Sequence, residues 1–383
     1  MTQAKARILV TGGEEVGVLG ALRALRAASY EPWAAIPHAG AYAARSRAVA
    51  GVVVVPDAGD RPAAFVERVR DASERIGARL VIPGTEAALV ALASAADRFP
   101  ASTTLALCPP SVVAQATDKT VLAEHASAAG LSVPPTSLLS VADVEGGAPG
   151  LRYPAVVKPV RSRVPVGDGR LLYVGAAEVW NESELRAALA ALPDGHGLVQ
   201  PFIEGILAAL AGIRWNGDLL GPVHFVASRT WPPRCGTAAY AVTVPRDREL
   251  EEAAARLLAS VGWTGLFQIQ LVDTGADRFL IDLNPRIFTS LTLTTAAGTN
   301  LPALWADLLL GRARRASGYR AGVRYRHEEN DVRALLAEAR SGRLRSALAG
   351  ALPRTRTVHA VASWRDPLPV LTSVEKLGRR LRR

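Results

Sequence analysis

Apolar residues along the chain fall into two rhythms. Short runs such as "ARILVTGG", "EPWAAIP", "GVVVVPD" and "ARLVIPG" are apolar nearly throughout and end at Gly, Pro or Asp. Between them lie longer stretches in which apolar residues return every third or fourth position: "VGVLGALRALRAASY", "RPAAFVERVRDASERIG" and "TEAALVALASAADRF". A near-continuous apolar run reads as a buried strand, and the three-to-four spacing as one face of a helix. Strands alternating with helices of this length predict a parallel sheet in a Rossmann-like layer ending near Pro109. The turn "TGGEEVG" lacks the GxGxxG spacing and predicts a plain strand-to-helix turn. Gly12 and Thr85 stay in view because ligands of such sheets lie at the carboxyl ends of strands.

The texture changes after Pro109. "PSVVAQATDKTVLAEHASAAGLSVPPT" predicts one helix closed by Gly130 and a Pro-rich stop. "YPAVVKPV" predicts a short buried strand, "NESELRAALAAL" a helix capped by Asn181, and "GLVQPFIEG" a strand kinked at Pro201. "RELEEAAARLLASVG" predicts a helix ahead of the strand "GLFQIQLV", which the turn "DTGADR" joins to "FLIDLNPRIFTS". In the tail, "NDVRALLAEARSGRL" predicts a helix that docks Val332, Leu335, Leu336 and Ala339 against the body. The terminal "GRRLRR" is expected to fray.

One of these strands carries an unusual polar row. Asp282, Asn284 and Arg286 fall two apart, so a strand points them to one face. If the preceding turn centres near Ala276, Gln270 lies opposite Asp282, roughly 5 Å away. Gln270, Asp282 and Asn284 would then converge as three oxygen donors, fit for a hard cation or for a polar face that meets water. Lys158 stands alone in an apolar strand and needs an anionic partner or an exit to solvent. The Gly-bearing loop beside it, "RSRVPVGDGR", suits a nucleotide phosphate. Lys119 opens a helix, where it would meet a phosphate or remain a solvated charge.

Composition narrows the rest. A chain of 383 residues exceeds one typical core, so two or three domains are expected. No apolar run approaches eighteen residues, so no membrane span is expected, and the first apolar run is too short for a signal peptide. Cys108 and Cys235 are the two cysteines, which points to reduced thiols and a cytoplasmic protein, and no Cys/His spacing suggests zinc. The net charge of +10 is uneven: residues 311–383 hold eighteen Lys/Arg against six Asp/Glu, a net +12, leaving −2 for the rest. That basicity reads as an arginine-rich solvated surface or as a patch for a polyanion. Only three aromatic residues, Tyr319, Tyr325 and Trp364, lie in it, so no specific nucleic-acid partner is expected.

Five segments in one order, "DKTVLAEHASAAGLSVPPT", "YPAVVKP", "VQPFIEG", "GLFQIQLV" and "LIDLNPR", together with the Rossmann-like layer before them, resemble the ATP-grasp superfamily. The resemblance covers roughly residues 1–310. "DLNPRIFTSLTLTTAAGTNLPALWADLLLG" is similar to the segment that follows the metal strand in its carboxylate–amine ligases. The resemblance implies an α/β (α+β) chain: a Rossmann-like domain over 1–109, an ATP-grasp small lobe and linker over 110–200, a large lobe with a metal site over 201–310, and a basic segment over 311–383. It implies ATP and Mg2+, with Mn2+ as a substitute. Lys119 and Lys158 would hold phosphates. The backbone of Gln200, Pro201, Phe202 and Ile203 would meet adenine, with Glu204 on the ribose. Gln270, Asp282 and Asn284 would hold the metal, Arg286 would face the reacting carboxylate or acyl phosphate, and Arg229 and Arg234 would lie near the phosphates and acceptor.

The pattern departs from the family in that Asp282 is shorter than the usual Glu, Gln270 is neutral, and Pro201 replaces a frequent acid. The implied activity is ATP-dependent ligation of a small carboxylic acid to an amine through an acyl phosphate. The alternatives are carbamoyl-phosphate or carboxylase chemistry, and a nucleotide-binding protein without catalysis. A homodimer stays open.

Overall fold

The computed structural model describes residues 5–145, 150–312 and 317–381. The first layer follows the two rhythms. It runs β1 (Arg7–Val10), α1 (Val16–Ala27), β2 (Glu31–Ile36), β3 (Gly51–Val54), α2 (Pro62–Ile76), β4 (Leu80–Ile82), α3 (Glu86–Ala93) and β5 (Thr104–Leu105). These strands form one parallel sheet in the order β3-β2-β1-β4-β5. The chain reverses its direction of growth between β1 and β4, so the loops after those strands border a crevice. Pro62 starts α2 with its φ already helical, and Gly77, at φ +61°, ends it while Ala78 N donates to Ser73 O at 2.8 Å.

The single helix expected over 110–130 is two, α4 (Pro110–Ala116) and α5 (Lys119–Ala128). The cause is Asp118, whose extended backbone interrupts the helix and whose Oδ1 accepts from Thr120 N and Val121 N. A cap of this kind satisfies the free N–H groups of a new helix start, which helical periodicity alone does not reveal.

The small lobe holds β6 (Ser137–Ser140), α6 (Val141–Glu145), β7 (Ala155–Lys158), β8 (Arg163–Pro165), β9 (Leu171–Tyr173), β10 (Ala177–Val179), α7 (Glu182–Ala190) and β11 (His196–Pro201). Its antiparallel sheet runs β10-β7-β11-β6, and β8 and β9 form a separate hairpin. Asn181 caps α7 as expected, accepting from Glu184 N at 2.9 Å while the Glu184 carboxylate accepts from Trp180 N. This lobe packs around its own apolar cluster, with Val157, Leu185, Leu189 and Val199 at its centre.

The large lobe is built on β12 (Ile206–Trp215), β13 (Asp218–Trp231), β14 (Thr237–Thr243), α8 (Arg248–Ser260), β15 (Gly265–Asp273), β16 (Arg278–Asn284), α9 (Leu291–Ala297) and α10 (Leu301–Leu309). The basic segment then continues the same lobe as β17 (Arg324–Arg326), α11 (Glu328–Arg340), α12 (Leu344–Ala351), β18 (Thr357–His359) and α13 (Val370–Leu381). Seven strands make one sheet, β16-β15-β12-β13-β14-β17-β18, so the tail supplies two of its strands. One face of this sheet shares a continuous core with β1 and α1 of the first layer, joining Ile8 and Leu22 to Val223, Leu266 and Leu291. The other face packs on α8, α4 and α5 through Leu257, Trp263, Val113 and Leu122.

The docking expected for the tail helix holds for part of its stripe: Leu335 and Ala339 are half-buried. Val332 and Leu336 are exposed, whereas Asp331, only 1% exposed, and Ala334 face the body. Asp331 is buried because two arginines from the sheet meet it: Arg229 Nε lies 2.6 Å from Oδ1 and Arg326 Nε 3.0 Å from Oδ2. The expected frayed end is also a helix as far as Leu381, and Arg382 and Arg383 lie outside the described residues. Ahead of Leu377, α13 is tied to the first layer by Ser373 on Tyr42 and Glu375 on Arg45.

Candidate functional site

The polar row of β16 falls where its spacing places it. β15 and β16 pair antiparallel with Gln270 opposite Asp282 and Gln268 opposite Asn284. The register slips by one residue just after Gln270, a bulge of the kind that re-aims side chains at the edge of a sheet. Asn284 Nδ2 donates to Gln268 Oε1 at 3.2 Å and to Gln270 Oε1 at 3.4 Å. Gln268 Nε2 donates in turn to Ser290 Oγ at 3.3 Å. Gln268 is therefore a fourth member of the row, one that positions Asn284. The Asp282 carboxylate makes no hydrogen bond among the described residues. No group of three or more His, Cys, Asp or Glu side chains placed to hold a metal ion exists among them. The donor set is one carboxylate with amide oxygens beside it, which fits a hard divalent cation only when phosphate oxygens complete the charge.

Lys158 comes to this row from the opposite lobe. Its Nζ, at the end of β7, donates to Ile281 O of β16 at 3.1 Å. Burial lowers its pKa to about 8, and the nearby Asp282 charge opposes the shift only in part. A buried ammonium satisfied by one carbonyl still lacks a counter-ion. Lys119, at the start of α5, donates to Ser162 Oγ at 2.9 Å, which sets it against the turn that follows β7.

Arg286 lies just past β16. Its Nη1 donates to Ile287 O at 2.8 Å, and its Nη2 is 3.9 Å from Glu86 Oε2 at the start of α3. Its Nε is shielded from water and has no partner. Glu86 belongs to the crevice between β1 and β4, where Thr85 caps α3 by accepting from Ala88 N. The crevice of the first layer and the polar row of the large lobe thus meet at Arg286.

The two other arginines are occupied elsewhere. Arg229 is taken by Asp331 and lies over the Tyr240 ring, 4.6 Å from its centroid. Arg234 reaches the interlobe strand: Nε donates to Glu178 at 2.7 Å, Nη1 is 3.6 Å from Glu204, and the guanidinium lies 3.8 Å from the Phe202 ring centroid. Neither lines the cleft of the polar row. In the same strand Gln200 Nε2 donates to Thr136 Oγ1, and Phe202 N donates to Pro154 O at 2.9 Å. Pro201 and Ile203 are half-buried, and the Glu204 side chain is largely exposed.

Gln268, Gln270, Asp282, Asn284 and Arg286 line one cleft together with Tyr173 of β9. A second cavity of about 640 Å3 opens at the carboxyl ends of β1 to β3. Glu14 lines it, with one carboxyl oxygen unpartnered and its pKa pushed up to about 7 by burial. Sequence reasoning missed both Glu86 and Glu14, although their positions after β4 and β1 are where such sheets take ligands. The cysteines are inert: both are free, and burial pushes the Cys235 thiol up to about 11. No helix among the described residues is long and apolar enough to cross a membrane.

Residues 224–331 match a protein family described as "ATP-grasp in the biosynthetic pathway with Ter operon". Over 177 residues, 44% of this chain, the sequence is 25% identical to the carbamoyl phosphate synthase large chain of Rubrobacter xylanophilus, of which the match spans only 16%. Among solved structures, N5-carboxyaminoimidazole synthetase from Staphylococcus aureus aligns with a TM-score of 0.61 at 13% identity, covering 83% of this chain and 82% of that one. L-amino acid ligase from Bacillus licheniformis aligns with 0.61 at 18%, covering 83% and 76%. Biotin carboxylase from Campylobacter jejuni aligns with 0.63 at 15%, covering 83% and 74%.

Proposed function

We propose that this chain, a member of the ATP-grasp superfamily, is an ADP-forming ligase that activates a small carboxylic acid and joins it to an amine. The observation that carries this reading is the convergence of the Asp282, Gln270 and Asn284 oxygens with Lys158 from the facing lobe and Arg286 at the cleft. ATP and Mg2+ fit that arrangement, because the row supplies few charges and a triphosphate supplies the rest. When bound, the metal neutralises charge on the transferring phosphoryl group.

In this reading the residues divide the work. Lys158 and Lys119 hold phosphate oxygens, and Lys158 gains the anionic partner that its burial requires. Asp282, Gln270 and Asn284 ligate the metal, and Gln268 sets the Asn284 carboxamide. The segment from Gln200 to Ile203, where β11 ends, borders the base, with Glu204 near the ribose. Arg234 closes over Phe202 there, so it serves the nucleotide rather than the acceptor. Arg286 orients the acid. A carboxylate oxygen attacks the γ-phosphorus, ADP leaves, and the amine displaces phosphate from the acyl carbon while losing a proton. No protein nucleophile is needed, in keeping with the inert thiol of Cys235. Two free cysteines, Cys108 buried and Cys235 half-buried, suit a cytoplasmic enzyme.

The test is acid-dependent ADP release by the full chain with Mg2+, with hydroxylamine present to trap the activated acid as a hydroxamate. ADP and hydroxamate in equal amounts support ligase chemistry. Tight ATP binding without turnover on any acid would favour the non-catalytic alternative. ADP release that needs bicarbonate alone would favour the carboxylase alternative.

A further inference from the structure

The polar row does not end at β15. Cross-strand partners share a face of a sheet, and so do residues two apart on one strand. Asp282 pairs with Gln270, Gln270 with Ala209 of β12, and Ala209 with Phe225 of β13. One step along, Leu207 pairs with Ala227. Asp282, Gln270, Ala209 and Phe225 therefore form one line across the floor of the cleft. Ala227 and Leu207 lie beside it, and Ala238 of β14 also lines the cleft. The line is oxygen-rich at its β16 end and apolar on β12 and β13, and beyond it Thr237 of β14 adds a hydroxyl to the cleft wall. Among the described residues that line this cleft, Asp282 and Arg286 are the only charged side chains.

We infer that the acid activated here is a monocarboxylate with an apolar body of several carbons, lying over Ala209, Phe225 and Ala227. This inference rests on the ligase reading and narrows its substrate. One guanidinium faces the cleft, that of Arg286, whose Nη1 is held by Ile287 O and whose Nη2 lies 3.9 Å from Glu86. That serves one carboxylate. A second carboxylate or a phosphate on the acid would lie against alanine and phenylalanine with no cation beside it, and an unpaired charge in such a place is strongly disfavoured. Bicarbonate has no carbon body and would leave the apolar floor against water. Each methylene laid over the floor should instead raise kcat/KM about fourfold until the floor is covered.

The experiment follows ADP release by the full chain with MgATP over a series of unbranched acids from acetate to hexanoate, then phenylpropionate, succinate, glutamate and bicarbonate. The expected result is a rise of about fourfold per methylene through at least three members, with succinate and glutamate at least about tenfold below the best monocarboxylate. Ala227→Asp should remove that preference, and Ala227→Leu should move the optimum to a shorter acid. Both should leave MgATP affinity, read by calorimetry, within about twofold, which separates a changed floor from a misfolded chain. A preference for succinate, glutamate or bicarbonate overturns the inference while leaving ATP-dependent activation intact. ADP release from no acid at all overturns the ligase reading, and the inference with it.

Discussion

Two polar clusters occupy opposite halves of the same seven-stranded sheet and are built from similar parts. One gathers Asp282, Gln270, Asn284 and Arg286 around β15 and β16. The other gathers Asp331, Arg229 and Arg326 over the Tyr240 ring, where β13, β14 and β17 meet α11. The second is closed. Asp331 meets both guanidinium groups, and further N–H groups of Arg229 and Arg326 donate to Gly350 O. The first is open: the Asp282 carboxylate has no hydrogen bond among the described residues. A closed cluster holds a fold together, whereas an open one holds polar capacity for something that arrives later. Both clusters keep a shielded guanidinium Nε without a hydrogen bond, Arg286 in the first and Arg326 in the second, so the carboxylate separates them: Asp331 is paired with two guanidinium groups, and Asp282 has no hydrogen bond among the described residues.

Asp331→Ala should be the most damaging change to the fold, since it leaves two buried arginines without their carboxylate. A loss of about 3–5 kcal/mol in urea unfolding is expected. A loss below about 1 kcal/mol would mean that the cluster is hydrated rather than closed, and the contrast would fail. Asp282→Asn should do the reverse, lowering kcat/KM by at least about 100-fold across a Mg2+ titration with the unfolding midpoint nearly unchanged. Retained activity with the same Mg2+ dependence would remove β16 from the metal site.

Lys158→Met should weaken ATP binding about 10- to 100-fold by calorimetry without loss of stability, because it deletes a buried charge whose one bond is to a carbonyl. Wild-type affinity in that variant would show that the ammonium faces no phosphate. In the unmodified chain Lys158 titrates near pH 8, below its ordinary value of 10.5. Its charge is therefore complete well below pH 8 and lost above it, so ATP affinity should be flat at low pH and fall above pH 8. In Lys158→Met that fall should vanish. Last and smallest, Leu348→Ser on the solvent side of α12 should change stability by less than about 0.5 kcal/mol, since Leu348 is 61% exposed. A larger loss would mean that something covers this side of the tail.

The open cluster was the more legible of the two. Its residues alternate along one strand, and the adjoining turn lies within a few residues, so Gln270 opposite Asp282 followed from spacing alone. Asn181 was legible for the same reason, since a cap and its helix are neighbours. The closed cluster was not, because Arg229 and Asp331 lie 102 positions apart and nothing local marks them as partners. The apolar stripe of α11 misled in the same way: burial of Asp331 by distant arginines outweighs burial of Val332 and Leu336. β12 escaped notice because "ILAALAGIRW" is buried on both faces through most of its length, which erases the alternation that would announce a strand. Asp118 hid a helix break inside an unbroken helical rhythm.

The shared core beneath the seven-stranded sheet has a mechanical consequence. The first layer, the large lobe and the tail bury one another's apolar residues and are further pinned by Arg23 on Asp366. They behave as a fixed jaw. The small lobe keeps its own core and meets that jaw through a few latches, among them Lys158 Nζ on Ile281 O and Leu171 N on Gly59 O. Travel of the lid therefore costs polar contacts such as these, with Lys119 on Ser162, Arg161 on Asp118 and Arg234 on Glu178, rather than a broken core. The groups released when it lifts include the Lys158 ammonium, the same cation that an incoming triphosphate would engage. The bond that holds the lid to the jaw and the charge that a ligand would engage thus reside in one side chain.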